Sequence, residues 1–343
     1  MSRTRGALIA VASVIFGASV VIAQQNAPGA GQPVPPGVPE WAYNTPPPPP
    51  GSPPPPTALP TDDAAVVKVG DKTMTRAALR GVKEIVDWHP EDHTSPMPSI
   101  VKVGKEGARA CGFCHLADGS GRPENAPVSA YHPAYFRQQM DDFKNGLRRS
   151  ADPRKGNTYN MIAFAKAMTP EEVNAAAEWF AQQPYPRRMK VIESKTAPKI
   201  RLQGGMHMAV PQNEGGGMEP IGDHIVEIPD DNLRSEARDT RMGWTAYVPP
   251  GTLNKGKQVA TKQQCSVCHG SNLEGLGPIP ALAGRSPSYI VRQLFDMKTG
   301  TRHGPWSEVM KPIVNQLSVQ DMMNVAAYAA SVAPPPSGVR GTR

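Results

Sequence analysis

All four cysteines of the chain fall into two copies of one five-residue pattern, Cys111-Gly112-Phe113-Cys114-His115 and Cys265-Ser266-Val267-Cys268-His269. A single C-x-x-C reads equally as a redox dithiol or as half of a zinc site. Two copies, each followed at once by histidine, read instead as c-type haem attachment. Each thiol forms a thioether to a haem vinyl group, and the imidazole lies beneath the iron as proximal ligand. The expected cofactor is therefore two covalently attached haem c groups, bound by Cys111, Cys114 and His115 in one place and by Cys265, Cys268 and His269 in the other, with iron at both histidines. With every cysteine used this way no disulfide remains, so the compartment must be read from the N-terminus.

The two copies belong to a longer duplication. Cys111 and Cys265 stand 154 residues apart, and Gly121/Gly275, Pro133/Pro287, Tyr135/Tyr289, Gln139/Gln293, Asp142/Asp296, Lys144/Lys298, Gly146/Gly300 and Arg148/Arg302 keep that offset without a gap. After Arg148 the second copy is five residues shorter, and at an offset of 149 Thr169 matches Ser318, Ala177 matches Ala326 and Trp179 matches Tyr328. This is one structural unit used twice. Register also selects the sixth iron ligand, since a soft thioether favours ferrous iron and raises the potential. Met161 matches Met310, whereas Met140 faces Leu294, Met168 faces Leu317, Met297 faces Phe143 and Met322 faces Val173. A methionine that alternates with Leu, Phe or Val behaves as core filler. Met161 and Met310 are the expected distal ligands.

Taken in order, the chain opens with Arg3 and Arg5, a charge-free run Ala7–Ile22 and the small-residue ending Val21-Ile22-Ala23. Residues 1–23 read as a secretory signal cleaved after Ala23, the alternative being a retained membrane anchor. Residues 24–61 read as a disordered proline-rich tether, with 15 prolines between Pro28 and Pro60 in an extended, semi-rigid spacer. An N-terminal extension follows at 62–98, with a short strand at Val66–Val69 and a helix capped by Thr75. The haem units are expected at 99–184 and 248–333, each closed by a capped helix: Thr169-Pro170-Glu171-Glu172 opens the first and Ser318 the second. The connector 185–247 reads as irregular and partly β, with a strand at Ile225–Ile228, and 334–343 as a disordered tail. In Asp87-Trp88-His89-Pro90-Glu91-Asp92-His93, Pro90 keeps the two histidines off one helical face, so the stretch reads as a polar loop rather than a metal motif.

Formal charge is +7, and a chain beginning at Gln24 would lose two arginines of the leader. Four haem propionates would offset most of what remains, so nothing supports nucleic-acid binding. The basic surplus lies in the two haem units. Arginines there are candidate partners for propionates, a solvated face being the commoner fate of any single one.

The pattern C-x-x-C-H, then Tyr-x-x-x-Gln-x-x-Asp-x-Lys-x-Gly-x-Arg, then a methionine and an alanine-rich closing helix ending in Trp179 or Tyr328 resembles the class I c-type cytochromes, and within them the tandem dihaem cytochrome c4 and c553-like group. The resemblance implies a mainly α fold of two three-helix haem domains, with outer-sphere electron transfer between periplasmic or membrane-bound redox proteins. Membrane association would come through an uncleaved N-terminus. The chain departs from that group in its tether, its 62–98 segment and its long connector. The expected role is an electron carrier rather than an enzyme. The alternative is the cytochrome subunit of a membrane-linked dehydrogenase or oxidase. A dihaem peroxidase would require unlike iron sites, which the matched methionines argue against.

Overall fold

The computed structural model describes residues 33–44, 64–81, 84–93, 96–203 and 205–334. The leader, most of the proline tract and the tail beyond Pro334 lie outside the described residues.

Each haem unit is built on helices whose ends are written locally. Pro133–Lys144 and Pro287–Lys298 both start with proline at the first helical position, where its missing amide costs nothing, and in the second the Ser286 hydroxyl accepts from Tyr289 N. The closing helices Pro170–Gln182 and Val319–Ser331 both carry complete capping boxes, Thr169 with Glu172 and Ser318 with Asp321, each worth about 1 kcal/mol. Apolar spacing then sets the core. Tyr135, Phe136, Met140 and Phe143 on one helix meet Ala176, Ala177, Trp179 and Phe180 on the other, and the Phe136 and Phe180 rings stack 6.0 Å apart. In the second unit Ile290, Val291, Leu294 and Phe295 meet Met322, Met323, Val325 and Ala326 in the same way.

The two units differ at their beginnings. The second opens with an eleven-residue helix, Thr252–Lys262, crossing the closing helix so closely that a Cβ on Gly256 would fall 2.0 Å from the Asn324 carbonyl oxygen. The first has a single turn, Ser99–Lys102, then a tight hairpin pairing Gly104–Lys105 with Ala108–Arg109, because Gly104 and Gly107 at φ +78° turn the chain back. We expect Gly256→Ala to destabilise the second unit by about 1–3 kcal/mol or more through overpacking against backbone, read as a lower denaturant midpoint with little change in slope.

The connector is more regular than its glycine and proline content led us to expect. Val226–Pro229 pairs antiparallel with Trp244–Val248, which pairs parallel with Met189–Glu193. Two further ladders join Ile200–Gln203 to Met206–Ala209 and Thr196–Pro198 to Met218–Pro220. Met189, Met206, Met208, Ile225, Trp244, Ala246 and Val248 then complete the core of the second unit. Glu227, buried, accepts from Ser286 Oγ at 3.0 Å and from Ser288 Oγ at 2.6 Å, setting a carboxylate at the N-terminus of Pro287–Lys298, where the helix dipole favours it.

The N-terminal extension folds onto the connector. Val66–Val69 and Lys72–Thr75 form a hairpin, and Trp88 Nε1 donates to Ala237 O at 2.8 Å. Arg76 pairs with Glu236 and His89 with Asp239, at 2.7 and 2.9 Å. His93 lies edge-on to Trp179, 5.1 Å between centroids, so the two histidines are used separately.

The tether reading fails over Glu40–Tyr43. These residues break the proline runs and supply both amide donors and apolar area, and they form one helical turn docked on the second unit. Ala42 and Tyr43 are fully buried; Tyr43 OH donates to Asp296 Oδ1 at 2.7 Å and Arg292 donates to Ala42 O at 2.5 Å. Burying such an aromatic contributes about 1.5–3 kcal/mol, more than a free spacer would retain.

The haem units meet through their duplicated residues. Arg148 donates to Gln139 Oε1 (2.9 Å) in its own unit and to Gln293 Oε1 (2.8 Å) and Tyr289 OH (3.1 Å) across the interface. Arg302 mirrors it, donating to Gln293 (2.9 Å), Gln139 (2.9 Å) and Tyr135 OH (3.1 Å). Arg148 and Arg302 also form an antiparallel backbone bridge. The arrangement is that of a two-fold interface within one chain.

Candidate haem centres

In the first unit Cys111–His115 forms a single helical turn, and both thiols, His115 and Met161 line one cavity with Tyr135, Phe136, Met140, Phe143, Phe164 and Phe180. In the second unit the matching turn is Cys265–His269, and Cys265 and Met310 pack against one core cluster. Of the eight residues expected from sequence, the four of the first unit share a single cavity, and in the second Cys265 and Met310 pack on one cluster, with Cys268 and His269 on the same turn as Cys265. Met161 sits inside the helix Gly156–Ala167, whereas Met310 is the N-cap of the turn Lys311–Val314. Met140 and Met168 line the first cavity too, so its geometry alone admits three thioethers.

The histidines are oriented alike. His115 Nδ1 lies 2.7 Å from Ala126 O, and His269 Nδ1 lies 2.8 Å from Pro280 O, each carbonyl eleven residues on. A carbonyl accepts only from N–H, so Nδ1 carries the proton and Nε2 is the bare nitrogen. Burial lowers the pKa of both imidazoles, outweighing the carbonyl bond, and so favours the neutral form that binds metal. Burial raises the Cys111 thiol to about 12 and lifts Cys114 and Cys265 as well, so these sulfurs are poor free thiolates and fit a covalently capped role. Among the described residues no cluster of three or more His, Cys, Asp or Glu forms a conventional metal site. An apolar cavity with paired thiols, a neutral imidazole offering Nε2 and a thioether fits haem c.

The surroundings of the two attachment turns are unlike. Gly112 lets Ile85 approach so closely that a Cβ there would meet Ile85 Cδ1 at 2.4 Å, and Ile85, Ala110 and Ala117 cluster with Met97 and Phe113. Arg238 from the connector donates to Phe113 O at 2.9 Å and stacks 3.8 Å from its ring centroid, while Arg109 stacks at 3.3 Å. In the second turn Ser266 replaces the glycine. Val267 is 70% exposed, Cys268 is exposed, and Val309 and Leu276 are exposed at 74% and 45%. Sequence reasoning missed this covering, since nothing local links Ile85 or Arg238 to Phe113. It also missed that the duplicated arginines pair the units, although Arg148 and Arg302 stand in perfect register.

Fold and site together define a protein with two c-type haem attachment turns, each on a small helical unit. A family model described as cytochrome c matches residues 253–333. Cytochrome c-554(548) of Halomonas halodenitrificans is 37% identical over 68 residues, covering 20% of this chain and 82% of its own. The thiosulfate dehydrogenase electron acceptor of Stutzerimonas stutzeri is 26% identical over 231 residues, 66% of this chain and 80% of that protein. Cytochrome c4 of Azotobacter vinelandii is 24% identical over 231 residues, 66% of this chain and 86% of its own. A solved thiosulfate dehydrogenase (TsdBA) from Marichromatium purpuratum aligns at 21% identity and TM-score 0.43 over 68% of this chain, which spans 39% of that one. The chain belongs to the cytochrome c family, and covalently bound haem is its cofactor.

Proposed function

We propose that this chain is a dihaem electron carrier, with His115 and Met161 as axial ligands in a domain spanning 99–184 and His269 and Met310 in a domain spanning 248–333. Haem, when bound, supplies a one-electron iron couple. The carrying observation is the shared orientation of His115 and His269, each holding Nδ1 on a backbone carbonyl, which leaves Nε2 as the nitrogen that can bind iron. Cys111, Cys114, Cys265 and Cys268 would anchor the groups, and Tyr135, Phe136, Phe143, Phe164 and Phe180 give the first cavity apolar walling. With a histidine and a methionine on each iron no position is left for a substrate, which is why we read a carrier rather than an enzyme. Pyridine haemochrome absorbance, with a mass increase equal to two haems, tests the attachment. The same mass, measured on exported protein, tests cleavage after Ala23 and with it a periplasmic location. Among the described residues no helix is long and apolar enough to cross a membrane.

Exchange with a redox partner is assigned to the second domain, where Val267, Leu276 and Val309 are open, rather than to the first, whose turn lies under Ile85 and Arg238. We expect Val267→Asp with Val309→Asp to slow oxidation of the reduced protein by membranes of its own cell about tenfold, with both potentials unchanged. An unchanged rate would move the contact elsewhere. Service as a subunit of an oxidoreductase complex is the second reading. The relative named as the electron acceptor of thiosulfate dehydrogenase favours it, and co-purification of a dehydrogenase at native abundance would establish it.

A further inference from the structure

The wall of the first cavity contains a buried ammonium that no acceptor among the described residues meets. Lys155 is 3% exposed, lines the cavity with Cys111, His115 and Met161, and its Nζ has no hydrogen-bond partner among the described residues. The Ser150 hydroxyl, on the same wall, is also unpartnered. A buried ammonium without an acceptor is costly to retain unless something anionic meets it. The lysine has no counterpart in the second unit: it lies where the two copies differ by five residues, opposite Gly304 at the offset of the closing helices and Val309 at the offset of the attachment turns.

We propose that Lys155 is the counter-cation of a haem carboxylate in the first domain only, and that it binds a solvent proton when the first centre is reduced and releases it on oxidation. The inference rests on the haem assignment above. Reduction adds one negative charge to the cavity, which favours Lys155 in its charged form. One electron from the donor and one proton from water therefore enter together, and both leave on reoxidation. Burial pulls Lys155 down to about 7, with Arg292 pushing the same way, so its proton is exchangeable near neutrality. Glu124, Asp152 and Asp296 oppose that, as would a carboxylate of the cofactor. His207, on the strand Met206–Ala209, faces it as well, held down to about 4 first by burial and then by Lys155 itself, so it stays neutral across the range concerned. Asp296, raised to about 6 by burial, accepts from Tyr43 and is ionised above that.

The sign follows. Above the lysine's pKa in the oxidised protein, reduction takes up a proton, so the first centre's potential falls as pH rises. The limit is a tenfold change in the reduction equilibrium per pH unit, about 59 mV. The second centre, without such a group, stays flat. Spectroelectrochemical titration of the holoprotein from pH 6 to 9.5 separates the two. Lys155→Met should lower one potential at pH 6 and abolish its slope. Lys155→Arg, which keeps a charge that does not titrate, should keep that potential high and flat. The other potential should not move in either variant. A slope that survives in Lys155→Met, or equal movement of both centres, overturns the proposal. A mass showing a single attached haem overturns the haem assignment itself, and the proposal falls with it, on a different measurement.

Discussion

Met161→Ala and Met310→Ala should each remove about half of the methionine-to-iron absorption near the red edge of the visible spectrum, and the double variant all of it. The potential of the altered centre should drop by a fraction of the ~0.8 V over which axial ligands set haem potentials, because water or a harder donor replaces a thioether that favours ferrous iron. The controls are the two other methionines of the first cavity. Met140 and Met168 are each 7% exposed within the core cluster, whereas Met161 is only partly buried against it. Truncating either control should cost about 2–5 kcal/mol of stability by opening a cavity, yet leave the band intact. A band that survives Met161→Ala and disappears in Met168→Ala would transfer the ligand role to Met168.

Arg148→Ala should separate the two domains energetically. Both arginines are buried, at 8% and 7% exposure, and each feeds both glutamines and the opposite tyrosine. Removing one guanidinium leaves Tyr289 and part of the Gln139 and Gln293 carbonyls without a donor in a buried interface, a loss of about 2–5 kcal/mol. The expected signature is a single calorimetric transition that splits into two, with little dependence on added salt because the contact is buried. Arg148→Lys should not rescue it: an ammonium lacks the planar fork that reaches three acceptors. A single unsplit transition would mean that the connector and Tyr43 hold the domains together without this network.

What the sequence disclosed and what it hid divide along contact range. The attachment turns, the capping boxes and the strand at Val66–Val69 rest on residues a few positions apart, and their spacing carries the information. The helix after Thr75, expected to run through about Val86, spans Arg76–Gly81. The order of the connector's three-stranded sheet was hidden because its strands pair across long stretches: Trp244 lies opposite Met189, and no local periodicity announces a partner so far away. Tyr43 breaks the proline runs as an aromatic able to dock, but its partner was hidden for the same reason, as its acceptor is Asp296. Lys155 carries no signal in the sequence, since only the fold buries its ammonium in the wall of the first cavity.

The network of Tyr135, Gln139 and Arg148 with Tyr289, Gln293 and Arg302 uses the same patch on both sides. A surface complementary to itself is what a homodimer requires, and here it survives inside a single polypeptide. The two copies of the repeated unit therefore meet across this patch as two subunits of a homodimer would. The halves differ at their attachment turns, where Ile85 and Arg238 lie over the first and Val267 of the second stays exposed. Symmetry was kept where the halves touch and lost where they face the outside.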